Sequence, residues 1–153
     1  MPRLEKVPKN LREPIEALPC PTFESTPWTP AEKAESRRLA IVSTAGLHRR
    51  GDAPFGGDGP KYRVIPDDIA PEDLVMTHVS TNFDRSGFSR DYNVAFPLDR
   101  VHELVNEGAI GAAAARHYSF MGAEPPENMK EEAKSLVPLM KEDGVNSVLL
   151  VPV

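Results

Sequence analysis

Arg38-Leu-Ala-Ile-Val-Ser-Thr-Ala-Gly-Leu-His-Arg-Arg-Gly-Asp52 is the stretch whose reading decides the fold. Leu39 to Val42 is an apolar run without alternation, the composition of a strand covered on both faces. It runs directly into a polar loop that carries Ser43, Thr44, Gly46, His48, Arg49, Arg50 and Asp52. In an open α/β sheet, ligands bind beyond the carboxyl ends of the strands, so a candidate site is expected here. The competing reading is an ordinary strand exit whose polar side chains only face water.

Downstream, strand-like and helix-like segments alternate. Tyr62 to Ile65 and Leu74 to Val79 read as strands, with His78 near the end of the second. Phe96-Pro-Leu98 opens a helix with Leu98, Val101, Leu104 and Val105 on one face, and Gly108 stops it. His102 lies beside that apolar stripe and reads as structural. Arg116 to Met121 is expected to be a strand, and its alternation sends His117, Ser119 and Met121 to the face opposite Tyr118 and Phe120. A helix follows from about Glu127 to Glu142, kinked at Pro138, and Asn146 to Val153 forms a last apolar strand. This alternation predicts a single α/β domain with a Rossmann-like, mostly parallel sheet and helices on both faces.

Upstream, residues 1–30 hold seven of the sixteen prolines. Proline fixes φ and donates no backbone hydrogen bond, which excludes a long helix or a central strand. An extended proline-rich arm over residues 1–28 is expected, with Leu4, Val7, Leu11, Ile15, Leu18, Phe23 and Trp28 lying on the body or on a partner. Homo-oligomers could form through it. Thr29-Pro-Ala-Glu32 is a helix-start pattern and opens the domain of residues 29–153. Cys20 reads as a packed small side chain rather than a nucleophile, since nothing beside it would depress its pKa.

Composition narrows the function classes. The chain has 153 residues, 40% hydrophobic and 27% charged, with a net charge of −5 and no basic stripe, so a nucleic-acid backbone is not its partner. No apolar run approaches the ~18 residues of a membrane span. Met-Pro-Arg-Leu-Glu-Lys6 lacks the apolar core of a signal peptide, and the cytoplasm is expected. A single cysteine excludes an internal disulfide or a CxxC pair. The glycine-rich loop 43–60, with its Gly56-Gly-Asp-Gly59, matches neither a P-loop nor a dinucleotide fingerprint, so no nucleotide is predicted. A second polar loop, 80–93, offers Asn82, Asp84, Arg85, Arg90, Asp91 and Asn93 to a small polar ligand.

Several blocks resemble one known family. They are Val42 to Phe55, Tyr62-Arg-Val-Ile-Pro66, His78 with Phe83-Asp-Arg85, Asp91 to Arg100, Gly108-Ala-Ile-Gly111, His117-Tyr-Ser-Phe-Met-Gly122 and Asp143 to Val153. In order and spacing they resemble the selenoprotein B family of the glycine, sarcosine, betaine and D-proline reductases, and more closely its short stand-alone members. The resemblance implies a redox-active selenocysteine, or a cysteine in its place, directly after the last apolar strand, and hence directly after Val153. An in-frame UGA codon is expected there. It further implies reductive cleavage of a small amino or carboxylate substrate, with the electrons coming from a thiol or selenol donor protein. The large members also use a pyruvoyl-bearing partner, a group for which this chain has no source.

Residue roles follow from chemistry. His48 and His78 are candidates for proton transfer, because imidazole titrates near neutrality. Ser43, Thr44 and the adjoining amides could bind an anion. Arg49 or Arg85 could hold a carboxylate bidentately, and His117 or Ser119 could complete the pocket. Three readings stay open: a reductase, a small-molecule-binding domain without the redox residue, and a metal site made by His48, His78 and His117. That histidine spacing is not diagnostic of a metal, and none is predicted.

Overall fold

The computed structural model describes residues 4–20, 22, 24–26, 28–56, 61–80 and 83–153. Phe23, Asn82 and most of the Gly56–Gly59 stretch lie outside the described residues. The chain divides into two units, Met1–Pro30 and Ala31–Val153.

Within the first unit, the expected extended arm is instead helical over α1 (Lys9–Glu16), with Pro14 inside it. Eight residues are short enough for one proline to cost a single hydrogen bond. Lys9–Glu13 and Arg12–Glu16 pair along its surface at 3.5 and 3.6 Å. Cys20 is exposed rather than packed.

The second unit is α/β, and its sheet is mixed rather than mostly parallel and Rossmann-like. β1 (Arg38–Ser43) runs parallel to β7 (Ser147–Val151) on one side. It also runs parallel to β5 (Ala112–Ala113) at its start and to β6 (Arg116–Ser119) at its end. β3 (Arg63–Pro66) closes the other edge, antiparallel to β6. β2 (Leu47–Arg49) and β4 (Leu74–Met76) form a separate antiparallel pair, with His48 opposite Val75. The strand at Leu47 lies inside a segment read from sequence as loop. Three residues between glycines are too short for a periodic signal, and it is Leu47 burial with its pairing to β4 that makes it a strand.

The helices sit on both faces, as consecutive residues of β1 demonstrate. Ile41 belongs to a core with Leu47, Ile65, Phe96, and Leu98 and Val101 of α3 (Leu98–Asn106). Val42 packs instead against Tyr118, Phe120 and Leu136, the last from α4 (Pro126–Glu142). Burying each such side chain contributes about 1.5–3 kcal/mol. The helix expected from Thr29 is reduced to one 3-10 turn at Ala34–Ser36. The second polar loop contains a short helix, α2 (Ser86–Arg90).

A register change lies between β5 and β6. Leu39 pairs with Ala113 and Val42 with Tyr118, so β1 advances three residues while the neighbouring chain advances five. The two extra residues bulge out and leave Ile41 without a backbone acceptor from that neighbour. The His117 ring fills the gap: Ile41 N–H donates to Nδ1 at 2.9 Å. The neutral ring then carries its proton on Nε2, which donates to Asp67 Oδ1 at 2.9 Å. The Asp67 amide is tied to the bulge through the Ala115 carbonyl at 3.1 Å. His102 reaches the same Asp67 oxygen at 2.9 Å from α3.

Candidate active site

Four strand exits converge on one side of the second unit. Thr44 follows β1, His78 follows β4, Gly122 follows β6 and Val153 follows β7. Thr44 ties the others together. Its N–H donates to Val151 O at 3.1 Å, and its carbonyl accepts from Gly122 N–H at 2.8 Å. Its Oγ1 accepts from Val153 N–H at 2.8 Å and donates to Val153 O at 3.3 Å. A Cβ on Gly122 would lie 2.8 Å from Val153 O and 2.9 Å from Thr44 O, so only glycine permits this approach. Gly46, at φ +67°, turns the chain beneath His78 and is itself packed against Met121.

An open cleft of about 280 Å³ lies there, lined by His78, Ser80, Phe83, Gly122, Ala123 and Val153. The His78 ring is buried and stacks on Phe83 with centroids 4.6 Å apart. Its Nδ1 accepts from Ser80 N–H at 3.2 Å, while Nε2 meets no protein partner among the described residues. Arg85 donates to the carbonyls of His78 and Ser80, which pins this loop. Burial, and secondarily the Arg85 charge, holds the His78 pKa below its ordinary 6.5. Replacing Arg85 with Met is therefore expected to raise the His78 titration midpoint without restoring it fully, because the burial contribution is the larger. Imidazole chemical shifts followed through pH would measure this; a midpoint unchanged or lowered would refute the assignment.

The remaining sequence-derived candidates are distributed elsewhere. Ser43 is fully buried, donating to Ala95 O and accepting from Ala45 N–H. With the Thr44 amide also engaged, these groups hold backbone and do not form an anion hole. His117 and Ser119 are likewise buried: His117 serves Ile41 and Asp67, and Ser119 Oγ accepts from Leu47 N–H at 2.8 Å. Arg49 lies exposed beside Asp52 at 3.4 Å. Arg85 is spent on carbonyl oxygens. Buried His48 on β2 places Nδ1 at 2.9 Å from Arg49 O, so Nδ1 bears the proton. Neither Arg49, Arg85 nor His48 lines the cleft. Among the described residues no group of three or more His, Cys, Asp or Glu could hold a metal ion, so the three histidines do not converge on one.

A second hollow, about 590 Å³, lies along the 80–93 loop beside Arg90, Asp91, Tyr92, Asn93 and Asp99. Asp91, Tyr92, Asn93 and Asp99 pair among themselves along its wall. Asn93 donates to Asp91 and Asp99 at 2.9 Å, and Tyr92 donates to Asp99. Hydrogen bonds from Tyr92 and then Asn93 hold the Asp99 carboxyl below its usual range. The sequence blocks already contained His78, Thr44, Phe83 and Gly122 and set Val153 at the end of the last strand; what they could not show is that Thr44 and Gly122 hold Val153 against this cleft.

The family model of glycine/sarcosine/betaine reductase selenoprotein B matches residues 57–153. The chain belongs to this family. It is 33% identical over 127 residues to the D-proline reductase subunit gamma of Acetoanaerobium sticklandii, covering 80% of this chain and 52% of that protein. It is 30% identical over 140 residues to the sarcosine reductase complex component B subunit beta of Peptoclostridium acidaminophilum, covering 86% of this chain and 32% of that protein. The chain thus spans about half the length of one curated relative and about a third of the other. No solved structure matches it. Among the described residues no helix is long and apolar enough to cross a membrane.

Proposed function

We propose that this selenoprotein B family chain is the nucleophile-bearing unit of a reductase complex that cleaves a C–N bond in a small N-substituted amino acid, the class to which D-proline and sarcosine belong. The observation that carries this reading is the tethering of Val153 by Thr44 on the wall of the cleft that His78 also lines. A residue directly after Val153 would enter that cleft at the shared carboxyl end of the strands. A selenolate or thiolate there supplies the nucleophile that displaces an amine from carbon. The chain's own part is to hold that residue rigidly through Thr44 and Gly122 and to shield it with Phe83 and the His78 ring stacked on it. The nitrogen of the ammonium-form substrate takes the C–N electron pair and departs as a neutral amine, so the displacement draws no proton from the neutral His78 ring. The new carbon–chalcogen bond is then reduced by a thiol or selenol donor protein. Both relatives are named as subunits of reductases, which supports a partner of that kind. The cytoplasm remains the proposed location.

The test is to read the coding sequence past Val153 and to assay the encoded protein in its co-purified complex. A UGA or cysteine codon followed by further coding sequence is expected, with methylamine release from sarcosine or ring opening of D-proline, either one abolished by alkylating that residue. No nucleophilic residue there, or alkylation without effect, would replace this reading with a non-catalytic small-molecule-binding domain.

A further inference from the structure

The sheet of the second unit has two edges of different make. β3, the outer strand on one side, is built as an edge: Arg63, exposed Val64 and Pro66 surround the buried Ile65, and charge and proline discourage further pairing. β7, the outer strand on the other side, pairs with β1 alone among the described residues. Yet Ser147-Val-Leu-Leu-Val151 holds no charge, no proline and no alternation, the composition of a parallel strand covered on both faces. That cover is missing: Val148 is 43% exposed, Leu149 36% and Leu150 70%. Val148 and Leu150 pair with Ala40 and Val42 on the face of Tyr118 and α4, while Leu149 pairs with Ile41 on the other face. The backbone is open as well. Thr44 N–H donates to Val151 O, and in a parallel ladder alternate residues turn their N–H and C=O to the same neighbour. Those of Val148 and Leu150 therefore point off the sheet.

We propose that the chain following Val153 completes this sheet: it crosses back as a helix beside α4, over Val148 and Leu150, and adds a strand parallel to β7. The inference rests on the reductase reading, which expects coding sequence past Val153, and it gives that segment its place. Topology selects the face. The β6–α4–β7 unit steps outward past β1 with α4 on the face of Tyr118 and Leu136. A further outward step of the same right hand crosses on that same face, and there Leu150 is the most exposed residue of the strand. A lone strand from another molecule would pair the edge but leave Leu150 bare, whereas a crossover brings helix and strand together. The shared part makes up 52% of one curated relative and 32% of the other, so family members carry more chain than the dozen or so residues that a crossover needs.

The test uses the full product of the gene, purified without other subunits, and reads its amide hydrogen exchange. Val148 and Leu150 amides should exchange at least about a hundredfold slower than freely exposed ones, and a tenfold dilution should leave that protection unchanged. Leu150→Asp should lower the melting temperature by at least about 10 °C, the effect of a charge forced under a helix. Freely exchanging amides, or a Leu150→Asp shift within about 3 °C, would overturn the inference. So would a coding sequence that stops at Val153, protection that fades on dilution (a second copy on the edge), or protection that needs another subunit. Serine in place of the residue directly after Val153 should leave the protection intact. A protected edge on an inactive parent sinks the reductase reading alone, and an open edge on an active one sinks this inference alone.

Discussion

Replacing His117 with Ala is expected to lower the unfolding free energy by about 3–5 kcal/mol and the melting temperature by roughly 10–15 °C. The change strips the buried Ile41 N–H of its acceptor, strips Asp67 of a donor, and leaves a void against Phe96, whose ring meets the imidazole edge-on at 5.8 Å. His117→Asn places an amide oxygen near the former Nδ1 and keeps the Ile41 bond, so about half of the loss should be recovered. A His117→Ala protein as stable as its parent would show that the bulge does not depend on the ring.

The same geometry gives stability a pH dependence of definite sign. Burial lowers the folded His117 pKa from 6.5, and it outweighs the raising effect of the Asp67 hydrogen bond. The Asp67 and Asp143 charges raise it, and His102 lowers it. Below 6.5 the unfolded imidazole takes up a proton that the folded one refuses, so the unfolded state binds more protons there. Stability is therefore complete above 6.5 and falls as the pH drops from 6.5 toward the folded value. Protonation would also bring an Nδ1–H against the Ile41 N–H. His78 shifts in the same direction and adds to the effect. Denaturant melts of parent and His117→Asn between pH 5 and 8 would show a shallower acid loss in the variant; equal slopes would contradict the assignment.

Gly122→Ala is the second change of large expected effect. The added Cβ meets backbone oxygens on both sides, Val153 O at 2.8 Å and Thr44 O at 2.9 Å. Backbone held in a sheet cannot swing aside as a flexible side chain would, so the end of β7 must part from Thr44. The expected cost is about 1–3 kcal/mol, with faster amide hydrogen exchange at Val153. Gly87→Ala is the comparison: there the new Cβ has only Val94 Cγ2 at 3.6 Å, an ordinary contact. It should be nearly silent. Unchanged Val153 exchange in Gly122→Ala would refute the role given to this glycine.

Several elements were legible in the residues themselves. The long amphipathic stripe of Pro126–Glu142, the unalternating Arg38–Ser43 run and the Gly108 stop carry their signal locally, and each appears at that place. Two-residue β5 and three-residue β2 carry none. They exist because β1 and β4 offer them backbone partners. The antiparallel β3–β6 pairing, which makes the sheet mixed, is likewise a matter of which chain lies alongside.

The candidate site divides in the same way. Sequence by itself determined the class of fold, the family resemblance carried by its blocks, and which side chains have titratable or anion-binding chemistry. It could not apportion them, because Ser43, His117 and Ser119 present the same atoms to a backbone amide as to a ligand. Tertiary structure alone decided that these three serve the sheet, that Arg85 serves the His78 loop, and that His78 Nε2 has no protein partner among the described residues. The reason is physical: a buried polar atom goes to whatever partner the packed backbone brings within about 3 Å, and that distance is set by residues far apart in the chain, 109 positions in the case of Thr44 and Val153.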